Sequence, residues 1–439
     1  GSVVRVAGEI DYIDQFEADS AISPLPDQMT LAQFVAMLNG KEYTSRVYMD
    51  TEKGQPIGSI SADGKTISKF HFSPERTVTG PNGSVVKISG EIDYIDQFEA
   101  KPGISPLPDG MTPAQFVAML NGKEYTSRVY MDTEKQAPIG SISADGKTIS
   151  KFHFTPERTQ SGPDGAIVKI SGEIDYIDQF EAKPGLSPLP GGMTPAAFTA
   201  LLSGKEYTSR VYLDTEESKP IGSISADGKT LSKFHFTSEK TVSGPNGSVV
   251  KVGGEIDYID QFEAKPGISL LPGGLTPAAF TALLSGTEYT SRVYLDTDTG
   301  KPIGSVSGDG KTISKFHFTP DQEVAGPEGS TVKIGGEIDY IDQFEAKPGI
   351  SPMPGGMTPA QFVAMLNGKE YTSRVYMDTD KGTPIGSISG DGKTISKFHF
   401  TPEKTQSGPD GAVVKVGGEI DYIDQFEAKP GLSPLPGGM

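Results

Sequence analysis

The sequence predicts an α+β fold: a tandem array of 82-residue modules, each a small, mostly antiparallel sheet of about four strands with one short helix. Three observations predict it. The decapeptide Glu-Ile-Asp-Tyr-Ile-Asp-Gln-Phe-Glu-Ala begins at Glu9, Glu91, Glu173, Glu255, Glu337 and Glu419, always 82 residues on. Each repeat holds short runs of alternating apolar and polar residues, the period of a half-buried strand. Each full repeat also holds one compact helix signature with start and stop signals.

Fixed self-similarity takes precedence over chain length in setting the domain count. The repeats are 1–82, 83–164, 165–246, 247–328 and 329–410, with 411–439 beginning a sixth. A unit of this size can fold alone, so separate beads are expected. Compactness scaling makes each bead roughly 25–35 Å across and five of them on the order of 150 Å long.

Residues 83–164 illustrate the unit. From Ser84 to Phe98, Val86, Ile88, Gly90, Ile92, Tyr94 and Phe98 share one side of a predicted strand. Gly90 predicts a bulge or bend there, or a break into two short strands. Asp96 falls on the inward side and spoils the apolar pattern. The segment from Lys101 to Gly110 holds three prolines and reads as an extended crossover.

Thr112 then caps a helix, Pro113 suits its first position and Gln115 completes a capping box. Phe116, Val117, Met119 and Leu120 form its apolar stripe, and Gly122 ends it. A helix this short needs tertiary packing to persist. Strands follow at Tyr125–Asp132, Pro138–Ser143 and Thr148–Phe154, the last two joined by an Asp145-Gly146 turn. Residues 156–164 read as a polar link. An alternative frame makes 30–439 five helix-first units, with the first strand exchanged between neighbours.

The formal charge is −18, from 57 acidic against 39 basic residues, and no basic stripe occurs. That excludes a nucleic-acid partner and attachment to anionic lipid, and it favours solubility. Cysteine is absent, so disulfides and thiolate metal sites are excluded. No apolar run approaches the roughly 20 residues that span a bilayer. No signal peptide is visible, and the array is expected to be a segment of a longer protein.

The acids of the decapeptide are the candidate metal site: Asp93, Asp96 and Glu99, with their repeats, as oxygen ligands for calcium. The competing expectation is ion pairing with Arg128 on the second strand and Lys151 on the fourth. Asp296 to Gly300 and Asp378 to Gly382 read Asp-x-Asp-x-Gly but lack the later liganding Glu, so a hairpin loop is expected. His71, His153, His235, His317 and His399 each sit in Lys-Phe-His-Phe with no partner nucleophile, which predicts a structural role. Asp145-Gly-Lys-Thr148 lacks the glycine spacing of a phosphate loop. Lys87, Asp96 and Glu99 supply the residue types for an isopeptide bond, although the first repeat has Arg5 in place of that Lys.

Together these features predict a structural protein without catalytic or cofactor site: a stalk, filament or adhesin shaft at the cell surface or outside the cell. Its partners would be neighbouring repeats, other copies in a filament, or a surface glycan or protein. The alternative is a multivalent array with one weak glycan or peptide site per module, gaining strength by avidity. In that case Tyr125, Tyr130 and Phe152 should line a groove.

Overall fold

A computed structural model describes residues 9–17, 29–79, 84–88, 90–100, 112–161, 167–170, 172–182, 193–215, 217–265, 275–346 and 359–429. The predicted proline crossover at 101–110 lies outside the described residues.

Within one repeat the elements follow the sequence closely. The first strand is Ile92–Glu99, the helix Pro113–Leu120, and the next three strands are Glu124–Asp132, Ala137–Ser143 and Thr148–Phe154. Thr112 accepts from Gln115 N–H and the Gln115 side chain accepts from Thr112 N–H, which closes the capping box. Gly122 sits at φ 70°, where an L side chain would be strained.

The strands do not close into separate small sheets. The fourth strand of each repeat pairs antiparallel with the first strand of the next, as Thr148–Phe154 does with Ile174–Glu181. That first strand then pairs with its own second strand, Glu206–Asp214. The result is one continuous antiparallel ribbon of 21 strands, with 55% of the described residues in strands, so the fold is mostly β and the expectation of independent α+β modules is corrected. The physical reason lies at the edge. A closed module would leave the fourth strand with a row of unpaired N–H and C=O groups, and the next first strand satisfies them over its full length.

Two further observations concern the chain between repeats. Of the outcomes expected at Gly90, the break is the one seen: Ser84 to Phe98 forms two strands, Val85–Ile88 and Ile92–Glu99. A Cβ at Gly90 would come within 1.8 Å of the Ser73 carbonyl oxygen, so the chain bends there through a position only glycine can fill. The expectation that 156–164 is a polar link is corrected, because it contains a strand, Arg158–Ser161, which pairs with Ile167–Ile170. Equivalent hairpins are Lys240–Ser243 with Val249–Val252, Gln322–Ala325 with Thr331–Ile334, and Lys404–Ser407 with Val413–Val416.

These hairpins wind the ribbon into a coil. Gly40 N–H donates to the Gly247 carbonyl at 2.9 Å, Gly122 to Gly329 at 3.0 Å and Gly204 to Gly411 at 2.9 Å. The partners lie 207 residues apart, about two and a half repeats of 82. Such bonds exclude a string of beads, since a linear array would hold these residues two modules apart. Parallel pairing of Thr331 with Glu124, and of Val413 with Glu206, brings two hairpins into the ribbon to make a 25-stranded sheet.

The core is shared in the same way. One cluster joins Tyr48, Ile60 and Ile67 of the first repeat to Phe98, Phe116, Leu120 and Tyr125 of the second and Val332 of the fifth. Each helix after the first lies on the third strand of the preceding repeat. There a Cβ on Gly140 would stand 2.5 Å from the Phe198 ring, so glycine makes the room that the aromatic fills. Burying such a Phe is worth about 1.5–3 kcal/mol relative to leaving it exposed.

Candidate functional site

The residues that suggest chemistry meet where one repeat joins the next. On the inner face of the first strand, Asp178 is fully buried at 0% exposure. Cross-strand register sets Asp178 opposite Arg210, because Ile177 and Gln179 oppose Val211 and Ser209 on either side. Arg210 donates from Nε to Asp178 Oδ1 at 2.7 Å and from Nη2 to Oδ2 at 2.8 Å, a bidentate pair. The Tyr207 hydroxyl donates to the same Oδ1 at 3.0 Å.

His153, from the preceding repeat's fourth strand, brings Nε2 to 3.1 Å from Asp178 Oδ2. That approach is close enough for an ion pair when the ring is protonated, but its angle does not make a hydrogen bond. Only in the last copy do His399 and Asp424 meet with hydrogen-bond geometry, at 3.0 Å. Tyr176 completes the group. The His153 ring stacks on it at 4.2 Å, and the Arg210 guanidinium lies 4.0 Å from its ring centre.

The same network recurs around Asp96, Asp260 and Asp342. Burial opposes the charge on Asp96, but His71 and Arg128 outweigh it and hold the carboxyl below its ordinary value. For Asp260 and Asp342 the same balance brings the pKa to about 2. Burial first, and the neighbouring Asp96 second, push the Tyr125 hydroxyl far above its ordinary value. A carboxylate locked by a guanidinium, and a tyrosine kept neutral, have little capacity for proton transfer near neutral pH. The arrangement ties three strands from two repeats together.

The calcium candidates separate. Asp96 is committed to Arg128, Asp93 is buried on the opposite face of the strand, and Glu99 is exposed at the strand end. Among the described residues no group of three or more His, Asp or Glu side chains is placed to hold a metal ion. In the Asp-x-Asp-x-Gly loops, Asp296 Oδ1 accepts from Asp298 N–H at 3.0 Å and Asp378 Oδ1 from Asp380 N–H at 3.1 Å, so these carboxylates organise their own turns. The Lys87 side chain lies outside the described residues.

Of the two expected ion-pair partners, Arg128 is in place. Lys151 stands opposite Asp178 in register, but its Nζ instead reaches Asp410, 2.7 Å away in the next turn of the coil. Lys69 meets Glu328 in the equivalent way. A second set joins Lys65 to Glu255, Lys147 to Glu337 and Lys229 to Glu419. A third set joins Glu42 to Lys251 at 2.7 Å and Glu124 to Lys333 at 3.4 Å. Apart from Lys151 and the decapeptide residues Glu255, Glu337 and Glu419, these residues drew no attention in the sequence. The available signal was Gly-Pro-x-Gly, which begins at Gly80, Gly162, Gly244, Gly326 and Gly408 and, in the last three copies, marks the tip of the hairpin.

Tyr125 and Tyr130 are buried, at 2% and 0% exposure, and Phe152 is half-buried, so the first two do not line an open groove.

No protein-family model matches the chain. Among solved structures, this chain is similar to one described as TcdB2-TccC3-Cdc42, with 8% identity and a TM-score of 0.21 over 82% of this chain and 13% of that one. A Photorhabdus luminescens Tc holotoxin pore gives 8% identity and a TM-score of 0.19 over 82% of this chain and 17% of that one. A hypothetical selenium-binding protein from Sulfolobus tokodaii gives 11% identity and a TM-score of 0.12 over 92% and 94% of the two chains. The chain spans less than a fifth of the toxin chains it resembles. Likeness at this level carries no argument about fold or function.

Proposed function

We propose that the chain is a structural element without catalytic activity: a wound shaft in which each turn of β-ribbon is clamped to the next by the hairpins between repeats. One observation carries this reading. The same inter-turn joint, with the same Gly-to-Gly hydrogen bond, occurs three times at a spacing of 207 residues. A device repeated in this way stiffens and spaces, whereas catalysis needs one set of groups free to move protons. Placement outside the cell, as part of an adhesin or filament, belongs to the proposal and rests on analogy with tandem-repeat surface proteins.

The multivalent-binding alternative loses its main support, because Tyr125 and Tyr130 are core residues.

The test is to open the joints. Val250, Val332 and Val414 are buried where hairpins meet the preceding turn, at 5%, 6% and 6% exposure. Changing all three to Asp places charge in apolar contacts and should unwind the coil while leaving the ribbon's own strand pairing intact. Small-angle scattering should then show a longer maximum dimension with unchanged β content by circular dichroism. An unchanged scattering profile would reject the clamped-coil reading.

A further inference from the structure

The ribbon has a second face. Alternation puts Asp178 and the core aromatics on one side of the strands and Gln179 with its neighbours on the other. Register aligns that second side into rows running across the strands. One row begins Phe70–Ile95–Val129 and continues Ser141–Ser150–Gln179–Ser209–Ser225, one residue from each of eight neighbouring strands. A second row runs from Phe152 to Ser307 with the same residue types in the same order. A third runs from Phe234 to Ser389. Each row is offset from the last by one repeat. An apolar trio therefore lies beside a polar one, as Phe152, Ile177 and Val211 lie beside Ser150, Gln179 and Ser209.

Three properties of these rows bear on a ligand. No residue in them is charged, although the chain carries a formal −18. All are half-buried, and none joins a core cluster, so the face is open to a partner. The amides are also held in place. Ser209, Ser291 and Ser373 donate to the side-chain oxygens of Gln179, Gln261 and Gln343 at 2.9, 2.8 and 2.8 Å. Each carboxamide is fixed by its oxygen and keeps its N–H donors for a ligand.

From this we infer that the second face binds a neutral, extended polysaccharide, with a β-1,4-linked chain lying along a row. Neighbouring strands are about 4.8 Å apart, close to the length of one pyranose unit in such a chain, so successive sugars meet successive strands. The apolar face of a pyranose suits Phe, Ile and Val, and its hydroxyls suit Ser and Gln. A charged polymer finds no counter-charge on these rows. A purely apolar partner would bury the Ser and Gln groups without hydrogen bonds. Rows recur with each repeat, so weak contacts act together. These residues are not the buried tyrosines of the groove expected from the sequence. The inference adds a binding role to the structural one and does not depend on the inter-turn joints, because strand pairing within the ribbon builds the rows.

The test sediments the full chain with microcrystalline cellulose, with chitin as a second neutral β-1,4-linked polymer, and with starch granules as an α-linked one. The expected result is depletion from solution by cellulose or chitin, undiminished in molar salt, and little by starch. Gln179→Glu, Gln261→Glu and Gln343→Glu in one chain keep side-chain size but replace amide donors with charge. That chain should bind at least about tenfold more weakly, with its β content unchanged by circular dichroism. Lys147→Ala, at an inter-turn joint, should bind as the unmodified chain does. The chain with Val250, Val332 and Val414 changed to Asp keeps its rows and should bind too, so failure of the coil reading and failure of this one are distinguishable. Absence of depletion by both cellulose and chitin, equal depletion by starch, or equal binding by the Gln→Glu chain overturns the inference. Concentration-dependent dimerisation that the Gln→Glu changes abolish would assign the face to a second copy and overturn it as well.

Discussion

The second strand reads Glu-Tyr-Thr-Ser-Arg-Val-Tyr in repeats 2 to 5 alike, yet it lives in two environments. In repeats 2 and 3 a hairpin from downstream lies over it, and Tyr125 and Tyr207 are 2% and 1% exposed. In repeats 4 and 5 no hairpin among the described residues covers it, and Tyr289 and Tyr371 are half-buried. The network below loosens in step. The Tyr hydroxyl stands 3.1 and 3.0 Å from its aspartate in the covered copies and 3.4 Å in both uncovered ones. Asp96 and Asp178 are 1% and 0% exposed, against 7% and 8% for Asp260 and Asp342. Identical sequences thus acquire different burial from a contact about 208 residues away. Tyr294 in an uncovered repeat is still 0% exposed, because its cover is the helix of the next repeat through Phe362. Local neighbours make the ribbon, and distant ones finish it.

The sharpest way to break this comparison is to remove the arginine. Arg210→Met strands a buried carboxylate and should cost about 3–5 kcal/mol, while Arg374→Met, beside the more exposed Asp342, should cost clearly less. Chemical denaturation of the two variants checks the order. Equal losses would mean that the hairpin contributes nothing to the desolvation of the network.

Next in size is the acid response. Asp260 and Asp342 carry a pKa of about 2 against an ordinary 3.8. A lowered carboxylate contributes stability that is complete above the unfolded value and is lost as pH falls through the folded one. Stability should therefore hold above pH 3.8 and decline from there toward pH 2, as followed by denaturant midpoints across that window. Asp342→Asn should flatten the decline.

The smallest effect concerns the inter-turn lysines. Lys147 and Glu337 are partly exposed, so Lys147→Ala should cost under about 1 kcal/mol, and less at high salt. A loss that persists in molar salt would show that packing of the lysine stem, not its charge, carries the contact.

Much of this was legible in the residues. Thr112, Pro113 and Gln115 specify the helix start through local hydrogen bonds, and the period-two runs specify the strands through local sterics. Asp96 stood out as an acid on an apolar face, and Arg128 as its expected partner, because both lie on neighbouring strands of one repeat. Lys151 and Asp410 were not legible as a pair, since nothing local relates residues 259 apart. The strand Arg158–Ser161 was hidden because it is polar, and alternation is informative only when one side is apolar.

By itself, then, the sequence determined the repeat, its helix, the four strands of the ribbon and the charged pair that joins the first two. Those depend on dihedral preferences, side-chain alternation and caps acting within a few residues. Only the tertiary structure decided that the repeats fuse into one sheet and that the sheet winds until its hairpins clamp the turn before. Strand edges are satisfied by whichever backbone arrives in register, and the curvature that brings residue 329 back to residue 122 is accumulated over many strands and written in none of them.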